Sequence, residues 1–367
     1  AEPYLFKSLP LSIILDEDFF LKHEVALFQA LKSNPALKFV PVIYIGNQSE
    51  TAELKLSHFS EVFFVDNGLS ESVLPKMEEL VTTSVKVRLW GVRGSTPCAN
   101  FENIEYGGNT SCVEIVIPGM DELLILDSGT GIRNLGNFLH NSENDELSGH
   151  IYITHPHWDH IQGFPFFKPF YSRENTFAIH LPEQYRGGAQ EILSGHLTKT
   201  FFPVTLEMLD AKMDYITQEE DQSKNDFYSI EYMIANHPTK TAIYKVIIGN
   251  YKIIYAPDNE IPLESSPLRY LDKFESFIKG CDLLIHDGQF SMSEYKEKTG
   301  WGHSAWERVV EIAKKNKVKK LMITHHDPDS SDDKLHAVDK ELQKFQSSFE
   351  LIGLAKEGGE IRIPLKG

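Results

Sequence analysis

The chain has 367 residues, 41% hydrophobic and 24% charged, with a formal net charge of −17. That length leaves room for two domains, each with a buried core, and no apolar run reaches the roughly 18 residues of a membrane span. An acidic chain repels polyanions at long range, so no large nucleic-acid footprint and no membrane partner are expected, whereas a small anionic substrate is compatible once bound cations invert the local field. Cys98, Cys112 and Cys281 have no Cys-x-x-Cys spacing. They fit buried thiols better than disulfides, and with no signal peptide in view a cytoplasmic location is expected.

In chain order, the strand-like runs Leu11–Leu15, Phe39–Ile45 and Glu61–Val65 alternate with helical patterns near Phe19–Lys32, Thr51–His58 and Ser70–Val81. This alternation predicts a small α/β domain with a parallel sheet over residues 1–84. Three strands are few for a free-standing unit, so it is expected to pack on the rest of the chain or on a second copy, with a homodimer as the assembly.

From Val85 onward, strands are predicted at Val85–Trp90, Cys112–Ile117, Glu122–Leu126, His150–Ile153, Phe177–Leu181, Ala242–Ile248, Lys252–Tyr255, Asp282–Ile285, Lys320–Ile323 and Ile361–Pro364. Helices are predicted near Ile132–His140, Gln190–Leu197, Leu268–Lys279, Ser304–Asn316 and Asp332–Phe345, and a surface loop at Gln218–Asp226. Sheets packed together with helices outside fit this order. Phe164, Phe166, Phe167, Phe170, Tyr171, Phe201 and Phe202 are mostly core, with some left to form a wall that stacks on a base.

The chemistry gathers where Ile151-Tyr152-Ile153 runs into Thr154-His155-Pro156-His157-Trp158-Asp159-His160. On extended backbone, residues i and i+2 point the same way, so His155 and His157 can share a cation while Asp159 and His160 face a second. Imidazole and carboxylate suit zinc, manganese or iron. Further ligand-type residues leave other apolar strands, which is how a rigid sheet presents a metal site: Asp127 after Leu123–Leu126, Asp258 after Ile253–Tyr255, and His325 after Leu321–Ile323. His237 lies in IANHPTKT.

This order of residues resembles the metallo-β-lactamase superfamily from about Val85 to the C-terminus, and within it the ribonuclease Z/cyclic-nucleotide phosphodiesterase-like branch. The resemblance implies an αββα sandwich over residues 85–367 and two divalent metal ions. His155, His157 and His237 would hold the first ion and Asp159, His160 and His325 the second, with Asp258 bridging. His326 is the alternative to His325. Asp127 would orient the histidine loop, and His286 and Asp287 would stand behind the site. An aspartate at the bridge is typical of phosphodiesterase branches. The implied reaction is in-line attack on phosphorus by a hydroxide from a shared water, with Asp159 and His303 in the catalytic machinery and His303 beside the leaving group. Arg93 in WGVRGSTP and Asn109 in YGGNTSC are candidates for touching phosphate.

A small phosphodiester is the expected substrate, a 3′,5′-cyclic nucleotide first. A ribonuclease Z-like tRNA 3′-end endonuclease is the alternative; that family grips tRNA with a basic, Gly/Pro-rich arm, and Pro182–Asp210 is instead mixed in composition. A lactone or ester hydrolase is the third possibility. Residues 1–84 resemble the later part of a receiver domain, with Asp16 ending the first strand. Gly46-Asn47 and Asp66-Asn67 stand where that family carries Thr or Ser and Lys-Pro, so a degenerate docking or dimerisation module is expected rather than phosphotransfer.

Overall fold

A computed structural model describes residues 13–17, 20, 22, 42–45, 56, 62–65, 83–140, 146–218, 223–263 and 268–365. Contacts divide the chain into two compact units, one of Ala1–Arg88, Val116–Gly119 and Gly358–Gly367, the other of Leu89–Ile115 and Met120–Glu357.

In the first unit, β1 (Ile13–Asp16), β2 (Val42–Ile45) and β3 (Val62–Val65) form a parallel sheet, with Ile13 opposite Val42 and Val42 opposite Val62. All three strands fall on the β-branched runs read from sequence, and Leu15, Phe20, Val42, Tyr44 and Leu56 pack beside them. Most of the three helical patterns, Gly46-Asn47 and Asp66-Asn67 lie outside the described residues. β4 (Ser84–Gly91) pairs antiparallel with β17 (Glu360–Pro364), and Arg88 Nε meets Glu360 Oε2 at 2.8 Å.

The second unit is a sandwich. One sheet carries β5 (Cys112–Val116), β6 (Leu123–Leu126), β7 (Ser148–Tyr152), β8 (Thr176–Pro182) and β9 (Lys212–Gln218) in that order, parallel from β6 onward. The other runs β10 (Ser223–Lys224), β11 (Ser229–Ile234), β12 (Ala242–Ile248), β13 (Tyr251–Ala256), β14 (Leu283–Asp287), β15 (Lys320–Thr324) and β16 (Leu351–Leu354), antiparallel up to β13 and parallel after it.

Helices cover the outer faces because their apolar residues repeat at helical spacing. In α1 (Ile132–His140), Ile132, Leu135 and Leu139 share a core with Ile125, Ile151 and Ile179 and with Leu193 of α3 (Ala189–His196). α2 is the single turn Trp158–Ile161. On the other sheet, α4 (Leu268–Ile278), α6 (Trp306–Lys315) and α7 (Asp332–Gln343) place Phe274, Val309, Val310 and Leu335 over Ile254, Leu284 and Ile323. The short α5 (Met292–Tyr295) opens with a capping box between Ser291 and Glu294. Where the sheets face each other, Tyr244 donates to the carbonyl of Ile153 at 2.8 Å. Phe164, Phe167 and Phe170 are core, as expected, whereas Phe166, Tyr171 and Phe201 are exposed. The three cysteines are free thiols. Among the described residues no helix is long and apolar enough to cross a membrane.

A buried histidine in β8 is expected to make the fold acid-sensitive. His180 stacks on Tyr152 at 4.1 Å and its Nε2 lies 3.0 Å from His150 Nδ1. Burial, and then His150, push its imidazole down to about 3. The unfolded chain therefore binds a proton that the folded chain refuses. Stability is fully present above the unfolded value of about 6.5 and falls as pH drops toward 3. H180Q is expected to lose less melting temperature than the wild type between about pH 7 and pH 5. Equal losses would show that His180 does not set the acid limit.

Candidate metal centre

The site sits where strands of both sheets end. Asp127, just past β6, adopts φ +62°, and His325, just past β15, φ +61°. Both are in the left-handed region that side chains rarely occupy, a conformation that clusters at functional positions. The fully buried Asp127 carboxylate accepts from Thr154 N at 2.7 Å, from Thr154 Oγ1 at 3.0 Å and from Tyr255 Oη at 3.0 Å, and it faces His160 Nδ1 at 2.7 Å. It thereby pins both ends of the histidine loop.

Asp258, on the loop after β13, divides its carboxylate. Oδ1 lies 4.0 Å from His155 Nε2 and 3.7 Å from His237 Nε2, while Oδ2 lies 2.9 Å from His160 Nε2 and 3.2 Å from His325 Nε2. Asp159 Oδ2 faces the same two imidazoles, at 3.2 Å from His160 and 3.1 Å from His325. Ligand atoms of His155, His157 and His237 lie within 4.8 Å of one another, and so do those of Asp159, His160 and His325.

These groups fit cations. His155 Nε2, His160 Nε2 and Asp258 Oδ2 are buried and make no hydrogen bond. Native proteins seldom leave such atoms unsatisfied, and a site for an ion is one accepted cause. The opposite ring nitrogens are engaged: His155 Nδ1 at Thr154 Oγ1 (3.1 Å), His160 Nδ1 at Asp127, and His237 Nδ1 at Thr241 Oγ1 (2.9 Å). His157 Nε2 lies 2.9 Å from Thr239 Oγ1. Each arrangement frees one nitrogen for a cation.

Electrostatics agree. Burial alone would raise the Asp159 carboxyl, but His160 and then His325 hold it well below the usual carboxylate range. Asp258 behaves alike: burial would raise it, and His325, His160 and His155 pull it down. Burial and the neighbouring His160 keep the His155 imidazole well below its ordinary value.

His303, on the loop before α6, stacks on His325 at 5.0 Å and lies 3.7 Å from Asp258 Oδ1. Asp287, at the end of β14, faces its Nδ1 at 3.2 Å and accepts from Ser304 N at 3.0 Å. Burial alone would lower the His303 imidazole; Asp287, then Asp258 and Asp159, lift it to about 9. His286 is also buried, 3.0 Å from the Asn259 side chain and so one residue from Asp258.

One expected phosphate contact is corrected. Arg93 is fully buried and donates to the carbonyls of Gly107 (2.8 Å), Ser330 (2.7 Å) and Asp327 (3.1 Å). It fastens the loop after His325 and has no face for a substrate. Asn109 donates to Glu357 Oε1 at 2.7 Å. The choice between adjacent histidines falls on His325, because His326 Nε2 meets the Ala355 carbonyl at 2.8 Å. Residues that sequence reasoning passed over are Thr154, Thr239, Thr241 and Tyr255. The threonines at i+2 and i+4 from His237 were a usable signal; a tyrosine inside an apolar strand was not. Trp158, beside His157, is 73% exposed, and Trp301, beside Gly302, is 60% exposed.

Gly94 touches the site by its lack of a side chain, since a Cβ there would lie 2.3 Å from His325 Nδ1. G94A is expected to displace that imidazole and weaken divalent-cation binding at the His325 group by about 10-fold or more. Unchanged cation affinity by calorimetry would place His325 outside the site.

Residues 124–326 match the family model described as "Beta-lactamase superfamily domain", more than half of the chain, and the chain belongs to that superfamily. Among curated relatives it is similar to ribonuclease Z of Porphyromonas gingivalis, at 24% identity over 251 residues, covering 58% of this chain and 81% of that one. Ribonuclease Z of Haloarcula marismortui is 22% identical over 326 residues, 76% of this chain and 97% of that one. Among solved structures, the metallo-β-lactamase fold protein YhfI from Bacillus subtilis superposes with a TM-score of 0.55 at 21% identity, over 77% of this chain and 100% of its own. The short form of human tRNase Z gives 0.52 at 17% identity, over 76% and 99%. The αββα fold expected from sequence is therefore the fold found.

The relatives overturn one expectation. Proteins named ribonuclease Z act on RNA, so a net charge of −17 is no ground for excluding a large nucleic-acid substrate. Net charge sums the whole surface, whereas recognition depends on the field of one face and of bound cations.

Proposed function

We propose that the chain hydrolyses phosphodiester bonds with two divalent cations. The observation that carries this is the divided carboxylate of Asp258, with one oxygen toward His155 and His237 and the other toward His160 and His325. His155, His157 and His237 would hold one ion, Asp159, His160 and His325 the other, and Asp258 both. Zinc, manganese and iron all suit this nitrogen and oxygen set. Such ions supply Lewis acidity toward phosphoryl oxygens and make water a nucleophile near neutral pH.

The chain's residues do the rest. Asp127, Thr154 and Thr241 fix the imidazoles so that one nitrogen of each faces inward. His303, held by Asp287 and 3.7 Å from Asp258, is placed to deliver a proton to the leaving oxygen. H303A is expected to slow a substrate with an alkoxide leaving group by about 10²–10⁴-fold and one losing p-nitrophenolate far less, because a stable phenolate needs no proton. Equal losses on both would remove His303 from that role.

A nucleotide is the proposed substrate, with the exposed Trp158 beside His157 as a stacking face for its base. A 3′,5′-cyclic nucleotide is the first candidate. An RNA phosphodiester is the second, favoured by the ribonuclease Z relatives. Turnover of 3′,5′-cyclic AMP with an intact tRNA precursor would select the first, and cleavage of the precursor alone the second. Turnover of lactones with neither phosphodiester cleaved would refute both. Residues 1–84 are proposed to be a separate receiver-like domain.

A further inference from the structure

Glu260 lies two residues beyond Asp258 and is buried. Its carboxylate accepts from Tyr295 Oη at 2.6 Å, from Gly300 N at 2.9 Å and from Gly302 N at 3.0 Å. No lysine, arginine or histidine pairs with it among the described residues. A buried carboxylate is costly unless its oxygens are satisfied, and here one short segment, 295–302, supplies every side-chain acceptor bond it makes.

The connections on both sides lead to the site. The backbone N of Glu260 donates to the Asn236 carbonyl at 3.0 Å, and Asn236 Nδ2 returns a bond to the Glu260 carbonyl at 2.9 Å, immediately before His237. Gly302 adopts φ +91°, and a Cβ there would lie 2.2 Å from His237 Cδ2, so this backbone rests against a ligand-type imidazole. The next residue is His303. Ser304 Oγ donates to the Asn259 carbonyl and accepts from Ile261 N at 2.9 Å, so the strap is fastened to the Asp258 loop on both sides of His303.

We infer that Glu260 is a positioning residue: it holds the Gly300–Gly302 strap against the Asp258 loop and so sets where His303 stands over the metal-ligand groups. This rests on the phosphodiesterase proposal for its kinetic consequence. Charge-assisted bonds to backbone N–H groups are stronger than neutral ones and do not swing as a side chain pair does. Losing them frees the strap without removing any group that faces a cation.

The test uses the full chain carrying E260A, with E260Q, which keeps one acceptor oxygen, as the conservative rescue. Hydrogen exchange at the Gly300 and Gly302 amides should accelerate at least tenfold in E260A and less in E260Q, and the His303 imidazole resonance should move. Zinc content and KM for an alkyl phosphodiester should stay within about twofold while kcat falls by about tenfold or more. In an H303A background, E260A should cost nothing further in kcat, because the two act as a unit. Unchanged amide exchange, an unmoved His303 resonance, or the same kcat loss with and without His303 would each overturn the inference. If E260A does not fold, E260Q carries the same comparisons. If the wild-type protein hydrolyses no phosphodiester, the proposed function fails, and amide exchange with the His303 resonance still decides the role of Glu260.

Discussion

D258A is expected to lower kcat/KM on a phosphodiester by at least about 10³-fold, or about 4 kcal/mol of transition-state stabilisation, and to reduce bound divalent cation. The carboxylate faces both sets of imidazoles: it lies 3.7 Å from His237 on one side and 2.9 Å from His160 on the other. Without it, His155 and His237 lose the carboxylate they share with His160 and His325, and cations sharing that space lose the charge that offsets their repulsion. D258N keeps the volume but not the charge, and is expected to fare little better. Activity within tenfold of wild type at saturating cation would show that the site does not depend on a shared ligand.

D127A has the second largest expected effect, and on a different quantity. It strands Thr154 N, the Thr154 hydroxyl, the Tyr255 hydroxyl and His160 Nδ1, all buried. Each orphaned donor costs about 1–3 kcal/mol, and because they share one acceptor the costs do not simply add. A loss of about 3–5 kcal/mol in unfolding free energy is expected, in the range for breaking a buried polar network. Asp also tolerates the left-handed φ of +62° better than Ala does, which adds to the loss. Cation affinity should fall by about 10–100-fold as well, since His160 loses the group that orients it. D127N keeps one acceptor oxygen and the backbone tolerance, so it should recover part of the stability. Chemical denaturation of the three proteins checks the ranking; a D127A variant as stable as wild type would mean that the loop is held elsewhere.

The histidine loop was legible because its residues are close in sequence and sit at the end of an apolar strand. His237, Asp258 and His325 were legible for the same reason at longer range, each following or preceding a buried β-branched run. β12 and α1 were predicted to the residue, where apolar spacing is regular. β9, β11 and β16 were missed. β9 alternates exposed and half-buried positions along an edge, so its sequence KMDYITQ has no buried run to read. β10 lies inside Gln218–Asp226, whose uniformly polar sequence predicts a loop.

Arg93 was misjudged for a general reason. A sequence gives a guanidinium among glycines but not its direction, and here it turns inward to three carbonyls. Glu260 was invisible for the converse reason: its partners at Tyr295, Gly300 and Gly302 come from a segment 35 to 42 positions away and are mostly backbone.

The most direct test of the central claim is hydrolysis of bis(p-nitrophenyl) phosphate by protein first stripped with a chelator and then titrated with zinc or manganese. Activity should be absent after stripping, return with the added ion, reach its maximum at two ions per chain as the proposal requires, and not return in D258A. Hydrolysis that persists in the stripped protein, or that D258A supports as well as wild type, would contradict it.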